Sequence, residues 1–209
     1  MVRLRVRIRF CKQGDLRFIG HRDLMRCLER LFRRAGLALS FSQGFHPKPR
    51  MTFPLALAVG IEGMDEVMEV ELAEPTTAEE LQRQLTPQAP PGLEFRSVET
   101  LPEGSAKARV RSASYEAPIP PSQQAGLSER IERLLAASSW PIERVHGRAA
   151  IDLRPLLLEL AIHEGVLGMR LRVDDRGGAS PRDVLAALDL AGLEQQGIRL
   201  RRTAVEICT

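Results

Sequence analysis

The chain has 209 residues, 44% of them apolar and 27% charged, the composition of a folded globular protein rather than of a disordered or fibrous one. No apolar run reaches the ~18 residues of a membrane helix, and the charged, alternating start MVRLRVRIRF lacks the apolar centre of a secretory signal; a cytoplasmic protein with no membrane partner is expected. The net charge of +3 hides an asymmetry, because residues 1–50 carry 13 Lys/Arg against three acids and residues 51–209 carry 17 against 24: a basic quarter on an acidic remainder points to nucleic acid or to an internal electrostatic match.

Residues 2–10 come first. Val2, Leu4, Val6, Ile8 and Phe10 alternate with Arg3, Arg5, Arg7 and Arg9, which predicts a strand with one apolar and one basic face. After a turn at Gln13-Gly14-Asp15 the period becomes helical over 21–35. Leu24, Leu28, Leu31 and Ala35 form one stripe, widened by Met25 and Phe32, and Arg22, Arg26, Arg30, Arg33 and Arg34 face elsewhere. Gly36 suits the helix end. A loop rich in proline and glycine follows over 40–50. Residues 51–59 read as a strand interrupted by Pro54, and 67–72 as an alternating strand. Thr76 or Thr77 caps a helix running to about Leu85, and 93–101 is a further strand.

The same order recurs after Pro102-Glu103-Gly104-Ser105. Strands are expected at 108–118, 149–162, 166–173 and 198–207, with helices at 123–137 and 181–190. The predicted fold is α+β, built from two tandem ferredoxin-like (βαββαβ) units with domains at 1–103 and 104–209.

In such a unit the helices cover one sheet face, so Arg3, Arg5, Arg7 and Arg9 must line the other, with Glu69 and Glu71 on a neighbouring strand. Cross-strand ion pairs account for much of that row, and Asp152 is a similar partner for Arg170 or Arg172. The helix arginines are harder to absorb, since only Asp23 and Glu29 share their helix. Arginine is also 27 of the 30 basic residues, a bias to which GC-rich codon usage contributes. The candidate anion or nucleic-acid surface is therefore Arg22, Arg26, Arg30, Arg33 and Arg34 together with Gln43, Gly44, His46, Lys48 and Arg50. Phe41 and Phe45 flank the loop. Packing beneath it is their expected role, and stacking on a base is the alternative.

Chemistry is less marked. His21, at a strand-to-helix junction, is an anion ligand or a structural histidine. His46 lies beside Lys48 and Arg50 and is a candidate general acid or base. His146 and His163 sit in turns, and no role is assigned to them. Cys11, Cys27 and Cys208 form no CxxC pair, so neither a zinc site nor a disulfide framework is indicated and a reduced compartment is the default. No metal, no cofactor and no catalytic motif such as a Walker loop, GxSxG or HExxH is found.

Taken together, Arg7-Ile8-Arg9-Phe10-Cys11-Lys12, Arg17-Phe18-Ile19-Gly20-His21-Arg22-Asp23-Leu24-Met25-Arg26, Arg33-Arg34-Ala35-Gly36 and Ser42-Gln43-Gly44-Phe45-His46-Pro47-Lys48-Pro49 resemble the bacterial radical SAM-linked family. That family is a domain of unknown function encoded beside a radical SAM protein or fused to one. Asp152-Leu153-Arg154-Pro155 fits the same pattern, so the resemblance covers essentially the whole chain. It implies a radical SAM protein as partner and, through gene neighbourhood, RNA or ribosome biology. A common family variant has Leu in place of Arg22 and Asn in place of His46, which makes His46 a weaker catalytic candidate than His21 or Asp23. A more distant likeness is to the CRISPR-repeat-processing endoribonucleases, which have two ferredoxin-like halves and a basic glycine loop. On that likeness His21 and Lys48 become catalytic candidates if the loop folds back onto the helix start.

The leading expectation is a non-catalytic RNA-binding or adaptor protein acting with a radical SAM enzyme. A metal-independent endoribonuclease and a purely protein-binding module that completes a radical SAM partner remain as alternatives.

Overall fold

The computed structural model describes residues 4–143, 150–174 and 178–208. Arg3, His146 and the expected strand start at Ala149 lie outside them. The architecture is mixed α+β with a mostly antiparallel sheet, as its alternating and helical patterns require. Contacts divide the chain into two units, Met1–Arg109 with Cys208–Thr209, and Val110–Ile207. Among the described residues no helix is long and apolar enough to cross a membrane.

The first unit runs β1 (Leu4–Lys12), a 3-10 turn (Gly14–Phe18), α1 (His21–Arg34), β2 (Met51–Thr52), β3 (Glu62–Leu72), α2 (Ala78–Leu85) and β4 (Leu93–Leu101). β1 lies between β4 and β3, antiparallel to both, and β2 pairs with β3. Val6, Ile8 and Phe10 enter the core from one face of β1, as period two dictates. They meet Leu24, Leu28, Leu31 and Phe32 of α1, and Leu81 and Leu85 of α2. Asp23 in the first turn of α1 and Arg33 and Arg34 in the last complement the helix dipole. Gly36, at φ +72°, ends the helix in a conformation that disfavours a Cβ. Thr77 caps α2, its side chain accepting from the Glu80 N–H at 3.1 Å.

The strand expected at 51–59 is two residues long. Pro54 has no N–H to give a ladder, and the chain then runs irregularly to Ile61. β3 starts earlier than its alternation suggests, at Glu62, and Glu62, Glu66, Val67 and Glu69 are all buried.

The second unit runs β5 (Arg109–Pro118), α3 (Pro121–Gln124), α4 (Leu127–Ala136), β6 (Pro141–Ile142), β7 (Ile151–Asp152), β8 (Leu157–His163), β9 (Val166–Arg172), α5 (Pro181–Ala187) and β10 (Arg201–Cys208). Its strand order is β10-β5-β9-β8, and β6 pairs with β7 apart from these. Leu127, Ile131 and Leu134 of α4 and Val184 and Leu185 of α5 are buried, as are Leu167, Met169 and Leu171 of β9. Two expected elements are broken. The helix at 123–137 is divided at Gly126, which takes φ +66°. The strand at 149–162 is interrupted by a 3-10 turn over Arg154–Leu156, where Pro155 cannot donate.

Candidate nucleic-acid interface

Arg5, Arg7 and Arg9 of β1 and Arg170 of β9 are each paired with an acid. Register sets Arg7 opposite Glu69 and Arg5 opposite Glu71. Glu69 accepts from Arg5 Nη2 at 2.6 Å and from Arg7 Nε and Nη2 at 3.2 and 3.0 Å. Arg9 pairs with Asp65, Arg50 with Glu71 at 3.5 Å, and Arg170 with Glu159. Arg7 does not face solvent as the alternation implied: its side chain is 8% exposed and that of Glu69 3%. Asp152 is not the partner of Arg170 or Arg172. Its carboxylate accepts the N–H groups of Trp140 at 2.7 Å and Arg154 at 3.1 Å. Those bonds, led by the one from Trp140 and joined by one from the Ser139 side chain, hold it below the usual carboxylate range.

The arginines of α1 behave differently. At about 100° per residue, Arg22, Arg26, Arg30 and Arg33 fall within about 80° of arc, opposite Leu24, Leu28 and Leu31. All four are exposed, as is Arg34. Arg26 lies 3.5 Å from Asp23, and Arg34 donates to the Gln88 carbonyl at 2.8 Å. Among the described residues, no carboxylate lies within ion-pair distance of Arg22, Arg30 or Arg33. Glu29, on the same helix, pairs with none of them.

The loop after α1 is a small hairpin. Phe41 and Pro49 bridge its base. The Ser42 N–H donates to the Lys48 carbonyl at 2.8 Å, and the Lys48 N–H donates to Ser42 Oγ at 3.0 Å. Gln43, Gly44, His46 and Lys48 are exposed at its end, and among the described residues the Lys48 ammonium has no carboxylate partner. Arg50 is a structural residue, held by Glu71 and by the Phe41 carbonyl at 3.3 Å. The aromatics overturn expectation. Phe41 is half-exposed and Phe45 is 102% exposed, so neither is buried beneath the loop. Hairpin and helix share a groove of about 480 Å³ lined by Glu29, Arg33, Leu37, Leu39 and Phe41. A smaller pocket of about 200 Å³ holds Arg5, Arg50 and Lys107 with Glu69 and Glu71, so its charges are largely matched.

His21 begins α1 and packs edge-on against Phe53 at 5.0 Å between ring centres; Phe53 in turn meets Phe10 edge-on. No hydrogen bond joins His21 to Lys48, whose main chain is engaged with Ser42. His46 is exposed on the hairpin, and His163 is exposed beside Glu164. Among the described residues no group of three or more His, Cys, Asp or Glu could hold a metal ion.

Sequence reasoning missed a buried polar layer. Lys12, Glu62 and Glu66 are buried. Lys12 Nζ donates to the Ile19 carbonyl at 2.9 Å, and Glu62 accepts from the Gly14 N–H at 3.2 Å. This layer ties β1, β3 and the 3-10 turn to the start of α1. Its signal in the sequence was three charges on strands, which look the same whether solvated or buried. Cys11 is buried too, donating to the Met64 carbonyl and accepting from Arg96 Nε at 3.0 Å. Burial pushes its thiol up against the opposing pull of Arg96.

A family profile described as an uncharacterized protein conserved in bacteria, DUF2344, matches residues 5–181. The chain belongs to that family. The match takes in β1, α1, the basic hairpin and most of the second unit. No curated protein matches the chain. Among solved structures, an unknown protein from Galdieria sulphuraria is 11% identical over 100% of both chains, with a TM-score of 0.30. A protein provisionally named a glycine cleavage system transcriptional repressor is 10% identical over 100% of this chain and 99% of its own, with a TM-score of 0.29. Likenesses at that level bear on neither fold nor function.

Proposed function

We propose that this DUF2344 protein is a non-catalytic RNA-binding adaptor whose phosphate-facing surface is the arginine stripe of α1 with the Lys48 hairpin. One contrast carries the reading. Within one unit, Arg5, Arg7, Arg9 and Arg50 each have a carboxylate, whereas Arg22, Arg30, Arg33 and Lys48 have none among the described residues and are exposed. Arg30 spends one N–H on the Arg26 carbonyl at 3.3 Å, but guanidinium groups without an internal carboxylate are suited to phosphate, which they neutralise without reading sequence.

The adaptor half draws on the resemblance to the radical SAM-linked family, and the partner is a radical SAM enzyme acting on RNA or a ribosomal component. A separate patch supports a protein contact. Phe18 is 58% and Val59 50% exposed, and the Gly60 N–H donates to the Arg17 carbonyl, bringing the two segments together. The orders β4-β1-β3-β2 and β10-β5-β9-β8 support the reading of both units as ferredoxin-like.

The test is RNA binding by the purified chain and by a triple variant, Arg22→Gln, Arg30→Gln, Arg33→Gln. These side chains are exposed, so the variant folds. Loss of RNA binding at unchanged thermal stability is expected, and equal binding refutes the assignment. Co-purification with the neighbouring radical SAM enzyme, lost on Phe18→Asp, tests the adaptor half.

A further inference from the structure

Assigning phosphates to α1 leaves Phe45 without a role. A phenyl ring kept in water gains none of the favourable burial a core gives it, and Phe45 is the most exposed of the large apolar side chains among the described residues. It is also held in place. The Phe41–Pro49 bridge and the paired Ser42–Lys48 bonds close the hairpin stem. Gly44 turns the chain just before Phe45 at φ +126°, a value a side chain would resist. Pro47 and Pro49 fix two further φ angles. The ring is thus presented on a short, braced projection beside exposed Gln43, His46 and Lys48.

We infer that Phe45 is a stacking platform for an unpaired base, and that the RNA bound is therefore single-stranded. This rests on α1 being the phosphate-facing surface. In a duplex both faces of each base are covered by neighbours, whereas a single strand offers a free π-face whatever its sequence. The geometry connects the two parts. Arg22 to Arg33 spans about 16 Å of helix axis, and Arg33, at the far end, lines the same groove as Phe41 at the hairpin base. A strand whose phosphates follow the stripe reaches the hairpin, where Lys48 takes a phosphate and Phe45 a base. The exposed Lys48 ammonium on the same hairpin favours this occupant over an acid-poor protein surface, which would gain nothing from it.

The test is fluorescence anisotropy of the full chain with a short labelled oligouridine and with an RNA duplex of the same length. Phe45→Ala is expected to weaken oligouridine binding roughly 5- to 150-fold, the range for losing one stacked base. Duplex affinity and the salt dependence stay as they were, and Phe45→Trp retains oligouridine affinity. Phe45 makes no buried contact, so its variants fold, which thermal unfolding verifies. If Phe45→Ala binds oligouridine like the wild type while the triple arginine variant does not, stacking is overturned and the phosphate surface stands. If the wild type prefers the duplex, the single-strand assignment is overturned. If the wild type binds neither RNA, both the surface and the platform are overturned.

Discussion

Glu69→Ala is the most informative stability variant, because one carboxylate serves two guanidinium groups. Glu69 is buried and also accepts from the Ala108 N–H at 3.3 Å. Removing it strands Arg7, whose side chain is 8% exposed. Breaking a buried pair by deleting one partner costs about 3–5 kcal/mol, since the remaining charge is left desolvated. Glu99 lies 3.7 Å from Arg7 and its side chain is 64% exposed, so it recovers at most a surface pair's worth, about 1 kcal/mol. Arg5 adds little to the loss, because it is partly solvated and keeps its bonds to the Ser105 and Ala106 carbonyls. The expected destabilisation is therefore about 2–4 kcal/mol, a shift of roughly 1–2 M in the urea midpoint. Equilibrium urea unfolding followed by circular dichroism reads it. The double variant Arg7→Leu with Glu69→Leu should lose less than Glu69→Ala alone, because no unpaired charge remains. A loss below about 0.5 kcal/mol for Glu69→Ala would falsify the buried network.

Three further outcomes follow from geometry. Gly92 sits at φ +87°, and a Cβ there would lie 2.4 Å from the Gln13 carbonyl oxygen, so Gly92→Ala should lower thermal stability by about 1–3 kcal/mol; an unchanged melting temperature contradicts this. Exposed Cys208 should react with a thiol reagent at once, and buried Cys11, whose thiol burial pushes up, only on unfolding; mass spectrometry of the labelled sites decides. Asp152 has a depressed pKa, so its contribution to stability is present above the ordinary carboxylate range and is lost as pH falls through the folded value. Asp152→Asn should therefore be less stable than wild type at neutral pH, with the gap closing below about pH 4; a gap independent of pH rules out the carboxylate as the cause.

The sequence made β1 and α1 legible because each has a single clean period. Val6, Ile8 and Phe10 alternate, Leu24, Leu28 and Leu31 repeat at helical spacing, and these residues meet in one core. Cross-strand matching of arginines with glutamates followed once β1 and β3 were neighbours. What alternation could not say is how deeply a face is covered. Arg7 lies on the polar face of β1 and is nonetheless buried, because Glu69 makes burial tolerable. Short strands were misjudged for a related reason. Residues 53–59 are apolar, but Pro54 and the irregular run to Ile61 deny them a ladder. For Phe45, hydrophobicity pointed inward. Only the closed Ser42–Lys48 stem, a tertiary feature with no signature of its own, shows that the ring points out.

The salt dependence of RNA binding tests the phosphate-facing surface most directly. Arg22, Arg30, Arg33 and Lys48 are four cations without carboxylate partners among the described residues. Neutralising four phosphates of a single strand gives a slope of about −2.8 in log affinity against log salt, or roughly a 50-fold loss between 50 and 200 mM. The expected result is that slope for the wild type, shallower by about 0.7 for Arg30→Gln. A slope near zero, or one unmoved by Arg30→Gln, contradicts an arginine surface built for phosphate.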